Sequence, residues 1–259
     1  MLLLLSPGQG SQKFGLLQPW IDLPGARDRV AAWSASTGLD LLSGRSLLAG
    51  AEPGLVCGHS VGELSSLALA GVLTDDEAVL LAARRGAAMA RAAGLRPTGM
   101  VAVIGGELDE QAVLAAGLEV ATVNAPGQVV LGGPVEALDA FSIPGARLRR
   151  LDVAGAFHTS AMAPAAEEFA ALISELRPQD AVCDVLANAD GLALRDGGEL
   201  LGRLVGQLTR PVRFDLCLAA TTAATEAVEL APGGVLTALV KRARPGLPVR
   251  ALTAAMVAA

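Results

Sequence analysis

Two short unbroken apolar runs in the first sixty positions stand directly before glycine-bearing stretches, MLLLL at the N-terminus and LVC at positions 55–57. An unbroken run of this length predicts a strand buried on both faces, as in a parallel sheet. Each run gives way to glycine, the first to SPGQGSQ and the second to GHSVGE. Residues 63–70 then suit a helix, with no proline. Residues 24–36 also read as helical, and the stretch from there to Pro53 as irregular. In TDDEAVLLAARRGAAMARAAG, Thr74 and Glu77 are spaced as a capping box and Gly94 is a natural stop.

The texture changes at Gly99. MVAVIGG, LEVATVN, QVVLGG and ARLRRLDVA read as strands, and LDEQAVLAAG and VEALDAF as helices. The order βαββαβ is that of a ferredoxin-like unit. Larger helices resume beyond it, as at residues 163–176, with short strands at DVLAN and EAVELA. The fold class expected is α/β, a parallel-sheet core of residues 1–98 and 154–259 interrupted by a small subdomain over 99–153.

The second glycine-bearing stretch has its own chemical meaning. Gly58-x-Ser60-x-Gly62 between a strand and a helix is the grammar of a nucleophile elbow, which pushes a serine hydroxyl out of the backbone. Such a serine needs a base. The chain has two histidines, His59 and His158. Neighbours on an extended segment project to opposite sides, so His59 is badly placed for the Ser60 proton. His158, in GAFHTSAM, is the workable partner; its other reading is a polar loop residue. No histidine follows it, which disfavours the usual α/β-hydrolase order of Ser, acid, late His. Gln9 in SPGQGSQ could reach an oxyanion or simply belong to a strand-to-helix turn. The backbone N–H of Val61 is the other natural oxyanion donor. Of Arg84 and Arg85, at most one faces a site, because adjacent helical residues diverge by about 100°. That one could clamp a carboxylate; the alternative is a solvated arginine.

Composition removes other classes. The 259 residues, 52% of them hydrophobic, suffice for one large core with an insertion. No apolar run approaches the roughly 18 residues a membrane helix needs, and MLLLLS lacks the charged flank and length of a signal peptide. A net charge of −6, with no tyrosine, argues against nucleic-acid binding. The three cysteines, Cys57, Cys183 and Cys217, form no CxxC, and are expected to be free thiols in a reducing, cytoplasmic setting.

Seven stretches now stand in order: PGQGSQ, GHSVGE, RRGAAM, NAPGQVVLGG, GAFHTSAM, LVGQLTRPVRFD and ELAPGGVLTALVKR. Together they resemble malonyl-CoA:acyl carrier protein transacylases of type II fatty-acid and polyketide synthesis, along nearly the whole chain. The resemblance implies an α/β-hydrolase-like core with a ferredoxin-like insert. It implies Ser60 as acyl-accepting nucleophile, His158 as base and acid, Gln9 and the Val61 amide as oxyanion hole, and Arg85 as clamp for the malonyl carboxylate. It implies Gln207 as the residue whose main-chain carbonyl orients the histidine. Asn124 and His59 are implied to line the pocket. Phe157 is similar to the malonyl-selective type, since methylmalonyl-selective relatives carry a serine there. The substrates implied are malonyl-CoA and a phosphopantetheinylated acyl carrier protein, with no cofactor or metal, in a monomer. Basic residues such as Arg210, Arg213, Lys241, Arg242 and Arg244 could meet an acidic carrier, or be scattered surface charge.

One stretch departs from the pattern. Between PGQGSQ and GHSVGE the family carries a longer segment, including a helix that packs on the central sheet, and here it is shortened. A serine hydrolase or thioesterase, and a non-catalytic carrier or acyl-CoA binder, are the alternatives this leaves.

Overall fold

The computed structural model describes residues 1–8, 20–21, 25–37 and 53–252. Gln9 and residues 38–52 of the shortened segment before the elbow lie outside these residues. The two apolar runs form β1 (Leu2–Ser6) and β2 (Leu55–Gly58), paired in parallel at the centre of a sheet. Between them in sequence lies α1 (Ala26–Thr37). Alternate side chains of a strand point to opposite faces, and both faces here are covered. Leu4 and Val56 pack under α2 (Gly62–Leu69) and α3 (Asp75–Ala93). Leu3, Leu5, Leu55 and Cys57 face the other way. The predicted capping box starts α3: Thr74 accepts from the Glu77 amide and Glu77 from that of Thr74, a pairing worth about 1 kcal/mol.

The predicted βαββαβ order follows: β3 (Thr98–Gly105), α4 (Glu110–Ala115), β4 (Glu119–Ala125), β5 (Gln128–Pro134), α5 (Val135–Ala140) and β6 (Ala146–Arg150). β3 and β5 pair antiparallel, as do β4 and β5 around the Pro126-Gly127 turn. The last strand is shorter than its sequence predicts. Leu151 N still donates to Met100 O at 3.0 Å, but the chain then turns, Val153 N donating to Leu151 O at 3.1 Å, and residues 151–153 line a cavity.

The remainder supplies α6 (Ala163–Ser174), β7 (Asp184–Leu186), β8 (Ala193–Leu194), α7 (Gly197–Gln207), β9 (Val212–Arg213), α8 (Phe214–Ala220), β10 (Glu226–Glu229), α9 (Val235–Ala243) and β11 (Val249–Ala251). The larger sheet runs β11-β10-β1-β2-β7-β8, parallel except at β8. The smaller runs β6-β3-β5-β4-β9, and its fifth strand, β9, is borrowed from the C-terminal part of the chain and pairs with β4 in parallel. Buried Glu229 ends β10 and accepts from the backbone N–H groups of Gly234, Leu236 and Thr237. That carboxylate satisfies the open donors of the first turn of α9. Among the described residues no helix is long and apolar enough to cross a membrane. All three cysteines are free and buried.

Candidate active site

At the C-terminal end of β2 the chain turns sharply into α2, and the turn leaves no room for side chains at its glycines. A Cβ on Gly58 would lie 2.1 Å from the Gly62 carbonyl carbon, and one on Gly62 would lie 2.1 Å from the Ser6 carbonyl oxygen. Ser60 sits between them with φ 55°, in the left-handed region that a non-glycine residue rarely adopts. This is the predicted elbow, and it stands where a parallel sheet places its ligands.

His158, also left-handed at φ 61°, comes from the loop between β6 and α6. Its Nε2 lies 2.7 Å from Ser60 Oγ, and its Nδ1 lies 2.8 Å from the main-chain carbonyl of Gln207, the last residue of α7. A carbonyl only accepts, so Nδ1 carries the hydrogen and the Nε2 lone pair faces the serine hydroxyl. Burial and the Arg85 charge push His158 down to about 3, which keeps the ring neutral with its Nε2 lone pair free.

Arg85 is buried on α3, while Arg84 on the same helix is exposed. Arg85 Nη2 donates to Ser60 Oγ at 3.2 Å and to Gln207 Oε1 at 2.9 Å. Its Nε is buried with no partner. Burial lowers the guanidinium to about 10 and Glu63 opposes that shift, so it stays charged at neutral pH.

A cavity of about 350 Å³ opens onto Ser60 and His158 between the two sheets. His59 and Asn124 line it, joined by a 2.8 Å hydrogen bond, and Phe157 forms part of the wall. Thr122 and Gln128 come from the small sheet, and Leu236 and Leu239 from α9. Arg85 does not line this cavity; it meets it at the Ser60 hydroxyl.

Two participants escaped the sequence reading. Asn188, just past β7, accepts from the Ser60 amide at 2.8 Å and donates to Gly58 O at 2.6 Å, bracketing the elbow. Glu63, quoted in the elbow motif without a role, is buried beneath it and accepts from the Asn188 amide at 2.7 Å and from Gln207 Nε2. Burial lifts Glu63 to about 7 against the pull of these bonds and of Arg85. The available signal for Asn188 was its place at the carboxyl end of a predicted strand. Of the basic residues considered for a carrier, Arg213 pairs with Asp215 and Arg244 bonds Thr221, while Arg210, Lys241 and Arg242 are exposed.

A serine on an elbow, a neutral histidine and a parallel sheet define a nucleophilic acyl-group enzyme, and the chain belongs to the acyl transferase domain family, which matches residues 44–254. Within that family its sequence is similar to malonyl CoA-acyl carrier protein transacylase of Mycobacterium tuberculosis, 42% identical over 97% of this chain and 96% of that one. The alignment runs over 293 positions, more than the 259 residues here, so that relative carries residues this chain lacks. A similar protein in Mycolicibacterium smegmatis is 41% identical over 92% of this chain and 96% of its own. Among solved structures, MCAT from Mycobacterium tuberculosis superposes with a TM-score of 0.89 at 41% identity, covering 97% of this chain and 96% of that one. A malonyl-transacylase in complex with its type II PKS acyl-carrier protein superposes with a TM-score of 0.86 at 27% identity, covering 97% and 96%.

Proposed function

We propose that this chain transfers a malonyl group from malonyl-CoA, through a Ser60 acyl-enzyme, to the phosphopantetheine thiol of an acyl carrier protein. The observation that carries the reading is the Ser60 hydroxyl held between the neutral Nε2 of His158 and the cationic Nη2 of Arg85. His158 takes the hydroxyl proton as Oγ attacks the thioester carbonyl. The tetrahedral oxyanion collapses, the C–S bond breaks, and His158 returns the proton to the departing CoA thiolate. In the second half His158 deprotonates the carrier thiol and its sulfur attacks the acyl-serine ester; the C–O bond to Ser60 breaks and His158 returns the proton to Oγ.

The Val61 N–H, at the start of α2, and Gln9 are the oxyanion donors of this reading. Arg85 takes the malonyl carboxylate: a buried Nε without an acceptor is a donor that an incoming carboxylate would satisfy. An acetyl group brings no such acceptor and leaves the cation unmatched. His59, Asn124 and Phe157 shape the acyl pocket. The finer architecture of the proposal is an α/β-hydrolase-like core with a ferredoxin-like insert at 99–153, supported by the β6-β3-β5-β4 order of the small sheet.

Intact-protein mass spectrometry after brief exposure to malonyl-CoA tests it. One malonyl adduct is expected on Ser60, absent in Ser60→Ala, weak with acetyl-CoA, and removed by holo carrier protein. Intact malonyl-CoA over a folded, unmodified protein would refute the reading, and free malonate with no transfer to carrier would make the chain a hydrolase.

A further inference from the structure

Beneath the elbow, one side-chain amide connects the groups assigned to nucleophile, base and clamp. The Gln207 carbonyl oxygen Oε1 accepts from Arg85, its Nε2 donates to Glu63, and its main-chain oxygen holds His158. An amide has two unlike ends, and which end faces Arg85 is decided by what lies at the other. In its ionised form Glu63 only accepts, so it draws the NH2 end and turns the oxygen toward the guanidinium. In the flipped orientation, donor would face donor at Arg85 and acceptor would face acceptor at Glu63. Gln207 Nε2 also lies 3.3 Å from Ser60 O and 3.2 Å from Asn188 Oδ1, both acceptors, which favours the same sense.

Glu63 occupies this place by construction. It falls three residues after Ser60, in the first turn of α2, where its own amide donates to Ser60 O at 3.0 Å. Its side chain is folded inward, and the residue is 6% exposed. One oxygen steadies the elbow through the Asn188 amide and the other reaches Gln207.

We propose that Glu63 is a positioning residue for acyl-group selection: through Gln207 it holds the Arg85 guanidinium at Ser60, and so sets the preference for an acyl group that carries a carboxylate. This rests on the malonyl-transfer reading above. Glu63 touches no substrate in this scheme. Its influence on the clamp passes from Glu63 to Gln207 to Arg85, and its direct hold on the elbow passes through Asn188, which Gln207 Nε2 also touches. The two arms therefore have different readouts. Loss of the elbow arm slows acylation by any acyl-CoA, and loss of the Gln207 arm lowers the malonyl-to-acetyl ratio.

The test measures Ser60 acylation by malonyl-CoA and by acetyl-CoA in the wild type, Glu63→Gln, Gln207→Met and the double variant. Gln207→Met removes the amide but keeps the main-chain carbonyl that holds His158. Both single variants are expected to lower the malonyl-to-acetyl ratio by about tenfold or more, the scale of a lost hydrogen bond to a charged group. The double variant is expected to lower it no further than Gln207→Met alone. A ratio within about twofold of wild type in Gln207→Met overturns the proposal, even if Glu63→Gln fails to fold. So does an equal fall of both rates in Glu63→Gln. A wild type with no malonyl adduct would instead overturn the parent reading, and this one with it.

Discussion

Arg85 Nη2 lies 3.2 Å from Ser60 Oγ, so the cation assigned to hold the substrate's far end also touches the atom that would be acylated. The serine oxygen thus donates to His158 and accepts from Arg85, and both contacts favour negative charge developing on Oγ. Replacing Arg85 by Ala should lower acylation by malonyl-CoA about a hundredfold and by acetyl-CoA far less, since the lost interaction is a charge-assisted one of roughly 3 kcal/mol. Arg85→Lys should rescue only in part, because a point charge cannot reproduce a planar fork. Equal losses for both donors would show that Arg85 serves the serine and not the carboxylate.

The titration of the site should be visible in stability. His158 is pushed from 6.5 to about 3, so between those values the unfolded chain binds more protons and stability rises with pH. Glu63 is pushed from 4.5 to about 7, so between those values the native state binds more and stability falls as pH rises. The two oppose each other from 4.5 to 6.5, and below 4.5 only the His158 contribution remains. Urea midpoints measured from pH 4.5 to 3 should therefore fall in the wild type and fall less steeply in His158→Gln. Parallel slopes in the two proteins would count against the low histidine value.

The elbow should not tolerate a methyl group. Gly62→Ala places a Cβ 2.1 Å from the Ser6 carbonyl oxygen, a backbone atom of the central strand that cannot step aside. A loss of about 3 kcal/mol or more is expected, together with loss of the Ser60 adduct. Gly86→Ala is the control, because nothing lies within 4 Å of its added Cβ; in the middle of α3 it should be neutral or stabilising by up to about 1 kcal/mol.

Glu229 binds the cavity wall to the core. Three backbone N–H groups at the start of α9 end on its carboxylate, and α9 contributes Leu236 and Leu239 to the cavity. Glu229→Ala should cost about 1–3 kcal/mol, the range for a buried group left without its partner, read as a lowered thermal midpoint. Acyl-CoA saturation should weaken with it. A stability change under about 0.5 kcal/mol would mean that solvent replaces the carboxylate.

What could be read from the chain beforehand was local. The strand–turn–helix grammar around Ser60 lies within a dozen residues, and the capping box at Thr74 within four, so both are visible without knowing what packs where. His158 followed by elimination, there being a single other histidine. Arg85 could be separated from Arg84 only as one of a pair until the resemblance favoured it, and α3 does bury one and expose the other. Asn188 stayed hidden because its meaning depends on β7 lying beside β2, and its partner Ser60 is 128 residues away. Periodicity tells which face of a strand is buried but not which strand end is its neighbour. Glu63 was hidden for the opposite reason: a glutamate in the first turn of a helix is ordinary there, and nothing local says that this one turns inward.

The borrowed strand β9 bears on what can be cut from this chain. Residues 99–153 look like a cassette, contiguous in sequence and with their own apolar cluster. Yet β4 meets its outer neighbour only through Val212 and Arg213, which lie far beyond the cassette in sequence. Excised, the piece would present β4 as an open edge with unpaired backbone groups, a template for the next copy. Transplanted between hosts, it would bring the pocket's Thr122 and Asn124 on the strand that had lost its brace. The unit that can be exchanged as a whole is the small sheet together with the β9 stretch, five residues beyond Gln207.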